Sequence, residues 1–337
     1  MELKSKDLIK ILPEAKEIIK RRRLILKTIS DLESPGRRTL AKETSFGERV
    51  IRNEIETLAT ENLISVSPQG IRITSLGKEI LELIENSFQD IFNFESMEKR
   101  LQELLKIPKV IIIPGDSGES KVARRELGKA GANIFGEMKS SFKSISVAGG
   151  TTLAEVAAQL VPFQKPELLI LPARGGLGEE MELQANTIAA KIAGKLGAKY
   201  KLLHIPDAIS EKIAAELLHN QQVAQVISLI RESEAIFLSV SNINEIVRRG
   251  QIEEKELNIL KGKNAVGEAL GYFYNNKGEI VYSKSSIGIK IEDLEKNKKV
   301  VLIAGGQGKS EAIEAVAKKG FTDILITDEG AAEKILN

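Results

Sequence analysis

The 337-residue chain has no cysteine, no tryptophan and only two histidines, and aromatic residues make up 4% of it. Each shortage closes off a class of chemistry. Without thiols there are no disulfides, no zinc fingers and no thiolate nucleophile, and a reducing compartment fits. The two histidines, His204 and His219, are too few for a His-rich metal site, and no metal is expected. Long apolar runs are missing as well. None approaches the roughly 20 residues of a membrane-spanning helix, and the N-terminus is charged from Glu2 onward, unlike a signal peptide. A soluble cytoplasmic protein without a membrane partner is expected. With so few aromatics, the 42% apolar content is mostly Ile, Leu, Val and Ala. That mix suits helices packed on a buried parallel sheet. The length favours about two domains.

Charge is nearly balanced overall but not locally. From Lys16 to Arg52 there are eleven basic residues against five acidic ones. A basic patch within a compact module is an electrostatic footprint of nucleic-acid binding, the alternative being a solvated helix face. The same stretch predicts a helix over 14–32 with Ile18, Ile19, Leu24, Ile25, Ile29 and Leu32 on one face. Ser34-Pro35-Gly36 breaks it, and a short helix follows from Arg37 to Glu43. Ser45 and Glu48 have capping-box spacing, which predicts that the next helix starts at Ser45. Ile51, Ile55, Leu58 and Ala59 give that helix a buried stripe, and Arg49, Arg52 and Asn53 lie away from it. Arginines near the N-terminus of the second helix of a pair are what major-groove reading requires. Leu63–Val66 and Ile71–Thr74 flank a Pro/Gly turn and predict a β-wing, with Arg72 available to phosphate. Arg38, Ser45, Glu48, Arg49, Arg52, Asn53 and Arg72 are the candidate contacts to double-stranded DNA. The run Ile51-Arg52-Asn53-Glu54-Ile55 resembles the recognition helix of the DeoR and SorC classes of bacterial regulators.

Residues 1–88 therefore read as a winged helix-turn-helix domain, with a linker helix to about 107, and 89–337 as an effector-binding and oligomerisation domain. Ile80, Leu83, Ile84, Phe88, Ile91, Phe94, Met97, Leu101, Leu104 and Leu105 keep a helical period across the linker. The heptad slips near Ser87 and Met97, so a docked or partly paired helix is expected rather than a continuous coiled coil.

Beyond the linker, short apolar runs alternate with helical stretches. Strands are predicted at Val110–Ile113, Ser144–Ala148, Leu168–Leu171, Lys201–His204, Ile236–Val240, Val300–Ala304 and Asp323–Thr327. The whole chain is thus α/β: an N-terminal winged helix-turn-helix followed by a doubly wound, mostly parallel α/β domain. Ligands in such sheets bind beyond the carboxyl ends of the strands. Two strand ends there suit phosphate. Ala148-Gly149-Gly150-Thr151-Thr152 brings backbone N–H groups and hydroxyls to a helix N-terminus, although a plain turn with threonine caps has the same signature. Gly305-Gly306-Gln307-Gly308-Lys309-Ser310 suggests a nucleotide loop, but Ile303 stands where that motif needs glycine. Its Lys309 can still hold a phosphate as a point charge. The loop Leu171-Pro172-Ala173-Arg174-Gly175-Gly176-Leu177-Gly178 and the pair Arg248-Arg249 add cations at further strand ends. Several cations around one small ligand suit two phosphates. A carboxylate at Glu268, beside Gly267, can accept bonds from a diol.

These motifs, with Val266-Gly267-Glu268-Ala269-Leu270-Gly271 between them, resemble the SorC-class repressors that govern glycolytic genes. The resemblance spans nearly the whole chain. It implies fructose 1,6-bisphosphate or a related sugar phosphate as effector, with no cofactor, and repression relieved by that ligand. It also implies roles: Gly149, Gly150, Thr151 and Thr152 around one phosphate with Lys309 close by, Arg174 and Arg249 on the other, and Gln184 and Glu268 on sugar hydroxyls. A homo-oligomer, dimer or tetramer, is expected on a symmetric operator.

The rival reading is a sugar-phosphate isomerase or deaminase-like enzyme, because the body resembles that superfold. Deaminases of that type carry Asp-Gly-His after a central strand, whereas no Asp-Gly pair occurs in this chain and Ser241-Asn242-Ile243-Asn244 stands in its place. No catalytic residue is expected.

Overall fold

The structure is a computed structural model that describes residues 11–12, 14–92, 94–138, 141–176, 180–206, 209–250, 252–284, 286–296 and 298–337. Its N-terminal head contains the helices Ala15–Leu32, Arg37–Thr44 and Glu48–Thr60. The antiparallel strands β1 (Ile64–Ser67) and β2 (Gly70–Ile73) form the wing, each set one residue from its expected position. Ile25, Leu26, Ile29, Leu40, Ile51, Ile55, Leu58, Ile64 and Ile71 close a core belonging to the head alone. The expected stripe of the third helix is therefore its buried face.

Two expectations about the head need correction. Ser45 does not cap the helix Glu48–Thr60, whose N-cap is Gly47. Ser45 ends the preceding helix in the left-handed region at φ 60°, and its hydroxyl donates to the Glu119 carbonyl at 2.7 Å. A serine closing one helix in that conformation cannot also supply the extended N-cap of the next. The basic stretch is also less open than its composition suggests. Buried Glu54 takes both Arg21 and Arg22, at 2.6 and 2.8 Å, and Glu85 takes Arg23 at 2.8 Å. Lys20 and Lys27 pair with Glu329 and Glu126. Arg37, Arg38, Lys42, Arg49 and Arg52 remain exposed.

The helix Ser75–Phe92 leaves the head, and the helix Phe94–Leu105 follows it. Phe94, Leu101 and Leu105 are buried in the body's core, so the second helix is docked. Leu83 and Leu104 are about half exposed. The side chains of Phe88 and Ile91 lie outside the described set.

The body is built on β3 (Lys109–Ile113), β4 (Ser144–Val147), β5 (Leu169–Pro172), β6 (Lys199–Tyr200), β7 (Ala235–Leu238), β12 (Lys299–Ile303) and β13 (Ile324–Asp328). These seven strands form a parallel sheet in the order β3-β13-β12-β7-β4-β5-β6. Helices cover both faces. Leu127, Phe135, Leu153, Ile188 and Ile192 pack on one, and Leu101, Ile227, Ile313 and Ala331 on the other. Burial on both faces explains why these strands are continuous apolar runs.

Six of the seven strands fall within a residue or two of their predicted places. The seventh does not: Lys199–Tyr200 is the strand, and Lys201–His204 is not. Asn186 occupies the backbone N–H and carbonyl of Leu203, at 2.9 and 3.0 Å, removing them from any ladder. A second sheet was not anticipated at all. Strands β8 (Ser241–Asn242), β9 (Ala265–Ala269), β10 (Tyr272–Asn275) and β11 (Ile280–Ser283) form an antiparallel sheet in the order β11-β10-β9-β8.

Candidate functional site: an effector cavity and a DNA-facing helix

A cavity of about 560 Å³ opens at the carboxyl ends of β4, β5, β7 and β12 and is closed from the side by the small sheet. That size suits one small ligand. All nine effector candidates line it: Gly149, Gly150, Thr151, Thr152, Arg174, Gln184, Arg249, Glu268 and Lys309. Residues spread over 160 positions of sequence thus converge, because parallel strands deliver their βα turns to one edge and the small sheet brings Glu268 against it.

The turn after β4 is shaped by close approach. Gly150 has φ 110°, and its N–H donates to the Leu183 carbonyl at 2.8 Å. A Cβ on Gly149 would come within 2.8 Å of the same oxygen. The helix Thr151–Gln159 then begins with its free N–H groups beside the cavity. Such an N-terminus, with two threonine hydroxyls, favours an anion.

Cations surround this turn. Lys309 is held by Glu245 at 3.1 Å, and Asn242 ties the same loop down by donating to the Gly308 carbonyl at 2.7 Å. Arg174 pairs with Glu268 at 3.4 Å. Glu268 also accepts from Gly271 N at 2.5 Å, so the β9–β10 turn orients both charges. That turn is Leu270-Gly271, with φ 53° and 83°, the geometry of a tight type I′ hairpin. Arg249 lines the cavity, whereas Arg248 is exposed and does not. Leu177 and Gly178 of the Arg174 loop lie outside the described residues.

The sequence reading missed Lys284, Ser239, Ser241 and Glu180, which also line the cavity. Lys284 follows β11 and pairs with Glu256 at 3.0 Å. Desolvation works against ionisation of Glu256, but the Lys284 ammonium, the Glu253 N–H and the Tyr282 hydroxyl together hold that carboxyl below its ordinary range. A signal for Lys284 was present: Asn275-Asn276-Lys277-Gly278 between two short Tyr-rich runs reads as a hairpin turn. Among the described residues the lining carries four cations, Arg174, Arg249, Lys284 and Lys309, and two carboxylates, Glu180 and Glu268. Leu183, Val240, Ile246, Leu270 and Phe273 supply apolar wall. The site can neutralise a multiply charged ligand and accept hydrogen bonds from its hydroxyls.

Of the DNA candidates, Arg38, Glu48, Arg49, Arg52, Asn53 and Arg72 are exposed. Ser45 is exposed too, but its hydroxyl is engaged with the body. Among the described residues no helix is long and apolar enough to cross a membrane.

Comparison with known proteins gives two family matches. Residues 18–88 match the family described as "CggR N-terminal DNA binding domain", and residues 89–337 match the one described as "Putative sugar-binding domain". The Central glycolytic genes regulator of Priestia megaterium (strain DSM 319 / IMG 1521) is 35% identical over 97% of this chain and 96% of its own. A crystal structure described as a "putative SorC family transcriptional regulator" from Enterococcus faecalis is 33% identical, with TM-score 0.65 over 72% of this chain and all of that one. The full-length sorbitol operon regulator SorC of Klebsiella pneumoniae shares the fold at 15% identity, with TM-score 0.65 over 95% of this chain and all of that one.

Proposed function

The chain belongs to the family of SorC-type, sugar-responsive transcriptional repressors, and from that premise we propose that it represses glycolytic genes and releases its operator when fructose 1,6-bisphosphate, or a closely related sugar phosphate, fills the cavity. One observation carries the reading of the ligand. Among the described residues, four cations and a threonine-opened helix N-terminus surround a single cavity of about 560 Å³ that also holds two carboxylates. Two phosphates and a set of hydroxyls match that distribution of charge. In this reading Gly149, Gly150, Thr151, Thr152 and Lys309 hold one phosphate. Arg174 and Arg249 hold the other, and Gln184 and Glu268 accept from hydroxyls.

Arg49, Arg52 and Asn53 read bases, while Arg38 and Arg72 contact phosphates. The acting form is an even-numbered homo-oligomer whose symmetry matches two operator half-sites. The ligand acts by binding one arrangement of the body more tightly than another, without which occupancy could not alter DNA affinity. The enzymatic alternative has no support from the relatives above, whose names are those of transcriptional regulators.

An operator gel-shift with a panel of glycolytic phosphates tests this directly. Fructose 1,6-bisphosphate is expected to weaken the complex at concentrations where hexose monophosphates do not. A complex unchanged by saturating bisphosphate would rule the effector out.

A further inference from the structure

Between the head and the body lies a second cavity, of about 370 Å³, lined by Lys20, Thr44, Ser45 and Phe46 on one side and Asp116 and Glu119 on the other. Polar contacts fasten the head around it, and Ile19 of the first helix also packs on the body's core. Ser45 donates to the Glu119 carbonyl at 2.7 Å. Lys20 pairs with Glu329 at 2.6 Å, and Glu43 with Lys121 at 2.8 Å. The head's own core is separate. A contact of this kind between two self-contained domains is the sort that opens and closes.

The body side of the junction takes in residues 114–126 and Glu329, and the effector loop leans on the first part of it. Asp116 accepts from Gln307 N at 3.0 Å, and its other oxygen accepts from Gly118 N at 2.7 Å. Asp328 accepts from Ser117 N at 2.7 Å and from Gly306 N at 2.6 Å. Glu329 accepts from Gly115 N at 3.1 Å while its other oxygen holds Lys20. Thus the loop that carries Lys309 into the effector cavity and the turn that carries Ser45 into the head are braced against residues 115–119.

From this shared brace we infer that residues 115–119 are the docking surface for the winged head, and that effector occupancy is read as a loss of this docking. The inference rests on the effector reading given above. The docked head is the operator-competent state: it leaves Arg49, Arg52 and Asn53 exposed and fixes each head to a body whose symmetry sets the half-site spacing. A phosphate on Lys309 competes with Glu245 and draws on the 305–309 loop. The Asp116 and Asp328 bonds carry that change to the brace, and the head is released.

Two measurements on the full-length chain test it. In the first, operator binding is followed by fluorescence anisotropy with and without fructose 1,6-bisphosphate, for the wild type, Asp116→Ala and Lys20→Met. The wild type is expected to weaken by a factor within about 5–150, the ordinary range of allosteric coupling. Lys20→Met, which lies outside the effector loop, is expected to bind the bisphosphate at least as tightly as the wild type by calorimetry, and the operator response of both variants falls by about five-fold or more. In the second, Glu43→Cys and Lys121→Cys are joined by a short bismaleimide, which is specific because the chain has no other cysteine. The cross-linked chain is expected to stay on the operator in saturating bisphosphate. A responsive wild type with equally responsive variants, or a cross-linked chain that is released normally, overturns the docking inference alone. A wild type that ignores the bisphosphate overturns the effector reading and the inference with it.

Discussion

Arg52 and Arg174 are both arginines with proposed roles, and their surroundings differ. Arg52 is exposed on the head's third helix, whereas Arg174 is largely buried against Glu268. Arg52→Ala is expected to lower operator affinity by about 1–3 kcal/mol and leave bisphosphate binding intact. Arg174→Ala should do the reverse, and paired anisotropy and calorimetry measurements separate the two outcomes. Lys298 offers a test of a different kind. Its ammonium is buried and donates to the Arg231 carbonyl at 3.1 Å and to Ser233 Oγ at 2.9 Å. Burial pulls it down to about 8 from its ordinary 10.5, with Asp293 acting in the opposite direction. Because the folded value is depressed, its contribution to stability is full above 10.5 and is lost as pH falls through about 8. Denaturation curves of wild type and Lys298→Met should therefore diverge between those pH values, with the wild type gaining as pH rises. Parallel curves would contradict the burial cost.

Individual elements were legible in the sequence to the extent that their pattern was local. The head's third helix and the strands of the large sheet announced themselves by period or by apolar run. Of the small sheet only the β10–β11 turn was legible, because β9 contains Gly267 and Glu268 and β8 is two residues long. Neither offers a hydrophobic alternation to count. Ser45 failed for a related reason. Its spacing to Glu48 fits a capping box, and only the neighbouring helix end claims it first. Element packing also makes a prediction at Gly77, the third residue of the helix leaving the wing. A Cβ there would lie 2.0 Å from the Leu63 carbonyl and 2.8 Å from Ile73. Gly77→Ala is expected to cost the head about 1–3 kcal/mol. Calorimetry should show the head melting earlier while the body still binds bisphosphate; an unshifted head transition would refute that packing.

For the whole molecule, the proposed ligand binds only the folded body and must stabilise it. At a hundredfold excess over its dissociation constant the gain is about 2.7 kcal/mol. In a body of this size that corresponds to roughly 2–4 °C per kcal/mol. Fructose 1,6-bisphosphate is expected to raise the melting temperature more than either hexose monophosphate. Lys284→Ala should narrow that difference, since a fourth cation matters most to a second phosphate. Equal stabilisation by mono- and bisphosphates would remove the argument for two phosphate positions.

By itself the sequence determined the order of parts: a basic helix pair with a wing, a linker, and a doubly wound α/β body with glycine-rich strand ends. It could do so because turn chemistry, capping and apolar period act over a few residues. Tertiary structure alone decided which charges are available and what meets what. It paired Arg21, Arg22 and Arg23 with carboxylates 32 to 62 positions away, added Lys284 to the cavity from an unforeseen sheet, and turned Ser45 from a cap into a contact with the body. Those outcomes depend on pairings between distant segments, and no local periodicity encodes such pairings.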